Sequence, residues 1–267
     1  FLGLVFTCGS EEFVIPFFDR GLPVEYELVR SLRVVSNAER KKVGILDTPA
    51  RLFGRFDFES RSQATDWAIV AELRKQYEVV QVSPDADYPE DLDALVAALP
   101  TAMTQPQVDR LTAWVKQGKP ALVLLDPMPA FNLELAPQDV PEAFSPFGPP
   151  PQRKARADMR GLLEALGILW QPNRIVWDSY NPHPQLKSLP REFVFVGDGF
   201  NASEEITAGL QEVVLLYSGA LKPRSDAQGK FIPLIQSTED AGLVRWEQLV
   251  QRNILGGISL NPNVRRP

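Results

Sequence analysis

The chain has 267 residues, enough to bury a sizeable core, and its 44% hydrophobic and 23% charged content is ordinary for a globular protein. A formal net charge of −6 and a pI near 5.0 exclude a protein that works by neutralising a nucleic-acid backbone. One cysteine, Cys8, and one histidine, His183, exclude an internal disulfide, a cysteine zinc cluster and a multi-histidine metal site within one chain.

Residues 1–8 and 12–16, separated by Gly9-Ser10, read as a β-hairpin. Residues 22–36 place Val24, Leu28, Leu32 and Val35 at helical spacing, the apolar stripe of an amphipathic helix leading into the core. Together these make an N-terminal hairpin-and-helix segment, 1–40, ahead of a larger α/β domain, 41–267. The domain starts with a short strand at 43–46 that ends on Asp47-Thr48-Pro49. A loop follows in which Arg51, Arg55 and Asp57 mix with Phe53, Phe56 and Phe58. A helix at 63–76 and a strand at 77–82 lead to an acidic loop, SPDADYPEDLD, that lacks the ligand and glycine offsets of an EF-hand.

The window 92–128 is the most informative. An apolar run at 92–99 ends at Pro100, and Thr104 and Gln107 have capping-box spacing with Pro106 in the first turn. Val108, Leu111 and Val115 share a helical face, Gly118 supplies the left-handed stop, and 121–125 is a second apolar run. Two buried strands joined by one amphipathic helix make a βαβ unit, hence a parallel sheet with helices on both faces. A proline-rich excursion, 129–151, is expected to lack regular structure. Beyond it the pattern predicts a helix at 156–166 stopped by Gly167 and strands at 175–177 and 193–196. A short helix capped by Ser203, strands at 213–221 and 231–236, and a last helix capped by Thr238 follow.

The residues that standard chemistries need are missing. No strand is followed by a dinucleotide-binding glycine pattern or a phosphate-binding loop. The junction LPTAMTQ, residues 99–105, is where a nucleophile elbow belongs, and it holds neither a glycine pair nor a cysteine. No catalytic residue, metal ligand or cofactor is therefore expected. A carboxylate pair drawn from Asp47, Asp126 and Asp178 stays open as the basis of a hydrolase or sugar-modifying enzyme. Exposed Phe53, Phe56 and Phe58 stay open as a docking surface for a membrane-embedded partner. No run approaches the roughly 18 apolar residues of a membrane helix. The chain opens on a strand-like run rather than Met, so it reads as an excised fragment whose signal or anchor would lie outside it.

The segments LGLVFTCGSEEFVIPFF, EYELVRSLRVVS and KKVGIL, then DALVAALPTAMTQPQVDRLTAWVKQGKPALVLLDP, LLEALGILWQPNRIVWD, EITAGL and FIPLIQST occur in an order that resembles a known family. It is that of the auxiliary components of uncharacterised ABC-type transport systems, which includes the GldG-like gliding-motility proteins. The resemblance implies a flavodoxin-like or class I glutamine-amidotransferase-like α/β domain on the extracytoplasmic, periplasmic face of the cytoplasmic membrane. It also implies that ABC permease and ATPase subunits are partners, with membrane contact only through segments outside this chain. Met103 and Thr104 stand where the amidotransferase-like fold normally carries its cysteine, so the fold is expected without the hydrolytic chemistry.

In an open parallel sheet the loops after the strands line one crevice. The candidate residues for binding a partner protein, or a ligand such as a glycan, are therefore Asp47, Thr48 and Arg51 from the first loop, Thr101 from the second and Asp126 from the third. Each of these residue types also serves as an ordinary loop cap.

Overall fold

The computed structural model describes residues 3–9, 11–15, 24–36, 40–54, 56–57, 62–63, 65–138, 156–252, 258–261 and 264. The proline-rich stretch beyond residue 138, and Phe58 with it, lie outside the described residues. The chain is mixed α/β and divides into two compact units, Phe1–Asp47 with Arg51–Val96 and Thr48–Ala50 with Ala97–Pro267.

In the first unit β1 (Leu4–Cys8) and β2 (Glu11–Ile15) form the expected antiparallel hairpin, Phe6 opposite Phe13, with Gly9 turning at φ +62°. Helix α1 (Val24–Val35) follows, but it buries a different face from the one its spacing predicts. Of the predicted stripe Val35 is buried and Leu28 half-buried, whereas Val24 and Leu32 are 49% and 57% exposed, and Glu27, Arg30 and Ser31 take the buried positions beside Val35. The cause is local pairing. Arg30 forms a salt bridge with Glu27 one turn back and lies over the Phe13 ring at 5.5 Å, and Ser31 Oγ donates to the Glu27 carbonyl at 2.6 Å.

Strand β3 (Lys42–Leu46) starts the parallel sheet. After the two-residue ladder of β4 (Phe56–Asp57) with β5 (Ser62–Gln63), helix α2 (Ala68–Arg74) leads into β6 (Glu78–Val82). The acidic loop that follows closes over the start of β3, since the Lys42 ammonium pairs with Asp91 at 2.7 Å and the Lys42 N–H donates to Asp93 at 2.7 Å. Strand β7 (Ala94–Ala98), helix α3 (Gln105–Lys116) and β8 (Ala121–Leu124) make the βαβ unit, and the four strands run β6-β3-β7-β8. The Thr104 N–H donates to Gln107 Oε1 at 3.0 Å, Gly118 ends the helix at φ +72°, and Val108 and Leu111 are buried as the spacing requires. Strand β8 departs from expectation: as the edge of the sheet it leaves Leu122 and Leu124 exposed.

The second unit otherwise consists of short antiparallel pairs. The excursion after Met128 does contain regular structure, a 3-10 turn at Leu133–Leu135 whose Glu134 N–H is capped by Asn132 Oδ1 at 3.0 Å. Helix α4 (Arg160–Ala165) ends at Gly167, φ +69°, and β9 (Ile168–Trp170) and β10 (Arg174–Asp178) follow. Strand β11 (Phe193–Val196) pairs with β12 (Val213–Leu216). Tyr217, at φ +51°, then breaks the expected long strand before β13 (Leu221–Pro223), which pairs with β9. The segment after Ser203 is a set of turns rather than a helix, because the Thr207 hydroxyl bonds the Asn201 carbonyl at 2.7 Å. Residues 231–236 contribute only an isolated bridge, Ile235 to Phe200.

The last predicted helix is mostly strand. β14 (Ala241–Arg245) pairs with β10, only α5 (Trp246–Leu249) is helical, and β15 (Val250–Arg252) and β16 (Ile258–Leu260) pair after it. Thr238 caps no helix: its hydroxyl and N–H both go to Asp178. The core here gathers Met128, Ile175, Trp177, Val244, Trp246 and Leu249.

Candidate functional site

Strand β7 ends in a strained turn. Leu99 adopts φ 50°, ψ 55°, a left-handed conformation that costs a non-glycine residue about 1–2 kcal/mol. It is held there because its N–H donates to the Leu124 carbonyl at 3.0 Å and its own carbonyl accepts the Ala102 N–H at 3.0 Å. The turn continues as a 3-10 segment, Pro100–Ala102, before Thr104 opens α3. This is the position at which an elbow would hold a nucleophile, and the strained residue is a buried leucine with nothing to ionise.

The same turn sets Thr101 on the wall of a cavity of about 320 Å³. Thr101 is 2% exposed, and its Oγ1 has no hydrogen-bond partner among the described residues. Leaving a buried hydroxyl unmet costs about 1–3 kcal/mol, and among the described residues nothing offsets that cost here. Around it lie Arg156, Pro137, Met159, Leu163, Trp170 and Pro172. The position of Trp170 depends on Gly219, where an added Cβ would come within 2.7 Å of the indole nitrogen.

A polar edge completes the wall. The Asp158 N–H donates to Gln105 Oε1 at 2.7 Å, which ties the segment ahead of α4 to the start of α3. The Asp158 carboxylate takes the Arg160 Nε–H at 2.8 Å, and this hydrogen bond holds the acid below its ordinary pKa and the guanidinium above its own. The Arg156 Nη2 donates to the Gln138 carbonyl at 3.4 Å.

The five sequence candidates do not all meet at this cavity. Thr101 is the one on its wall. Thr48 is buried and its Oγ1 accepts the Ala50 N–H at 3.3 Å, a loop-capping bond. Asp126 is half-buried, its Oδ1 accepts the Met128 N–H at 2.7 Å, and desolvation raises its pKa to about 6 against that one bond. Asp47 is half-buried with its N–H on the Val82 carbonyl at 2.8 Å, and Arg51 is exposed at φ 50°. Arg156 and Trp170 escaped the sequence reading. A tryptophan closing a strand just before Gln171-Pro172 was the one local sign available.

Asp178, one of the carboxylates open to a catalytic reading, is a structural clamp. It is buried, and it accepts the Tyr180 N–H at 2.9 Å, the Thr238 N–H at 2.9 Å and the Thr238 hydroxyl at 2.7 Å, which closes β10 onto the approach to β14. A larger cavity of about 510 Å³ opens elsewhere in the second unit, walled in part by Lys187, Arg191, Glu192 and Tyr217. Among the described residues none of its walls carries a buried side-chain polar atom without a partner, in contrast to the wall that holds Thr101. Also among the described residues, no three His, Cys, Asp or Glu side chains are grouped to hold a metal ion, and no helix is long and apolar enough to cross a membrane. Phe53 of the aromatic loop is half-buried with the Arg74 guanidinium 5.5 Å over its ring.

Comparison with known proteins gives one family. Residues 40–264 match the family model described as "ABC-type uncharacterized transport system". No curated protein sequence matches the chain. Among solved structures, the "mmIFT52 N-terminal domain" aligns with a TM-score of 0.44 at 13% sequence identity, over 74% of this chain and 78% of that one.

Proposed function

Because the chain belongs to the family of ABC-type uncharacterized transport system proteins, as an auxiliary component, we propose that it is a binding domain rather than an enzyme. It works at the extracytoplasmic face of the membrane beside the permease and ATPase subunits of the same system. The observation that carries the binding reading is the cavity where β7 gives out, on whose wall stands Thr101 with a buried hydroxyl that has no partner among the described residues. Carboxyl ends of parallel strands are where open α/β sheets take their ligands. Two further observations favour binding over catalysis. The strained elbow residue is Leu99, and Asp178, one of the three carboxylates open to a catalytic pair, is engaged by three hydrogen bonds that hold the fold together.

Thr101 is the centre of the proposed site. Asp126, Thr48, Asp47 and Arg51 are retained as loop residues at strand ends that contact a partner protein or a larger ligand such as a glycan. A thermal-shift panel of neutral sugars, amino acids and carboxylic acids on the wild type and on Thr101→Trp tests the reading. A ligand at ten times its Kd stabilises the folded state by about 1.4 kcal/mol. At least one class is expected to raise the wild-type Tm and to leave the cavity-filled variant unmoved. A wild type that stays flat across the panel contradicts it.

A further inference from the structure

We infer that the exposed face of α1 binds a second copy of the chain, as an antiparallel helix pair about a two-fold axis at Val29. This helix lies ahead of the family-matched residues 40–264, and none of its residues lines the Thr101 cavity.

One side of α1 is taken up by its own unit. Glu27, Arg30, Ser31 and Val35 are buried, with Arg30 paired to Glu27 and lying over the Phe13 ring. The other side is apolar and uncovered. Val29 is 59% exposed, and Tyr26 and Leu32, three residues before and three after it, are exposed beside it on the same face. The Tyr26 hydroxyl accepts a Gln76 side-chain N–H at 2.8 Å, which anchors that ring. Two charges frame the patch, four residues before and four after Val29. Glu25 stands in the first turn and Arg33 in the last, and both are exposed. Among the described residues neither side chain forms an ion pair or a hydrogen bond.

The occupant follows from the order of these residues. Val29 is the midpoint between Tyr26 and Leu32 and also between Glu25 and Arg33. A two-fold axis at Val29 therefore sets Val29 against its own copy, Leu32 against Tyr26 of the second copy, and Arg33 against Glu25 of the second copy. Two opposite-charge pairs then flank a closed apolar seam. A parallel pair would set Glu25 on Glu25 and Arg33 on Arg33, so the charges select the antiparallel arrangement. The contact is small. A helix of 12 residues is about 18 Å long, and two of them bury less than the roughly 1,600 Å² of a standard interface, so the dimer is weak.

Sedimentation velocity of the chain from about 5 µM to about 500 µM tests this, a range that brackets weak association. The wild type is expected to pass from monomer to dimer across it. Glu25→Arg and Arg33→Glu each bring like charges together and are each expected to weaken the dimer at least about tenfold. The double variant, in which the two charges have changed places, is expected to return to within about threefold of wild type. Val29→Glu sets two carboxylates at the axis and is expected to leave monomer only. Val29 is exposed and away from the helix ends, so this variant keeps the fold where charge reversal frays α1, which far-UV circular dichroism reports. A wild type that is monomeric at every concentration overturns the dimer. So does a dimer that none of these variants weakens, or a double variant as weak as the single ones. A monomeric wild type whose Val29→Glu form loses co-isolated ABC subunits also overturns it and assigns the face to a transporter subunit.

Discussion

Asp126 and Asp178 show how two aspartates at strand ends are sorted by the hydrogen bonds they receive. Asp178 collects three donors, whereas Asp126 receives one N–H and is desolvated, so its pKa rises to about 6 from an ordinary 3.8. Between those two values the folded protein binds a proton that the unfolded chain has released. Stability from this group is therefore complete below about pH 4 and is lost as pH rises through 6, a cost of about 2 kcal/mol by neutral pH. Asp126→Asn keeps the acceptor for the Met128 N–H and removes the charge. It is expected to stabilise the protein by about 1–2 kcal/mol in urea unfolding at pH 7.5 and to change little at pH 4. Equal effects at both pH values would show that the carboxylate is not held protonated. Thr101 belongs to the same scale: a hydroxyl at the end of an apolar strand was legible in the sequence as a candidate, but its lack of a partner became visible only once the turn at Leu99 was in place.

At the scale of elements, β3 explains its own glycine. Gly44 stands in the middle of a strand whose other apolar residues are buried, and an added Cβ would come within 2.7 Å of Leu92 Cδ1 and 2.8 Å of Val82 Cγ2. Leu92 and Val82 are themselves buried, so neither can swing clear. Gly44→Ala is expected to cost about 1–3 kcal/mol by overpacking, read as a lowered urea midpoint, and Leu92→Ala in the same chain is expected to recover part of it. A neutral Gly44→Ala would contradict this packing. The βαβ unit was legible because its signals are local: the capping box, the proline in the first turn and Gly118 all act within the helix they delimit. Helix α1 was legible as a helix but not in its orientation. A hydrophobic stripe ranks faces by apolarity, and here the Glu27–Arg30 pair and the Phe13 ring claimed the other face.

At the scale of the whole molecule the sequence was informative where contacts are short in chain distance and poor where they are long. The pairing of β10 with β14 joins Asp178 to Ala241, and no spacing within either segment announces it. Leu243, Trp246, Leu249 and Val250 fit a helical face, yet Thr238, expected to cap that helix, gives both its donors to Asp178 instead. The candidate site follows the same rule. Its sequence-legible member lies next to β7, whereas Arg156 and Trp170 arrive from the segment ahead of α4 and from β9, with Gly219 admitting the indole.

The chain belongs to the transport family, and its proposed role is to bind and assemble with the other subunits of such a system. That claim is tested most directly by isolating the protein from its native membranes in mild detergent and quantifying what comes with it. The permease and ATPase of one ABC system are expected in stoichiometric amounts, reproducibly and after stringent washing. Recovery of the intact protein without any ABC subunit, from membranes in which those subunits are present, would contradict it.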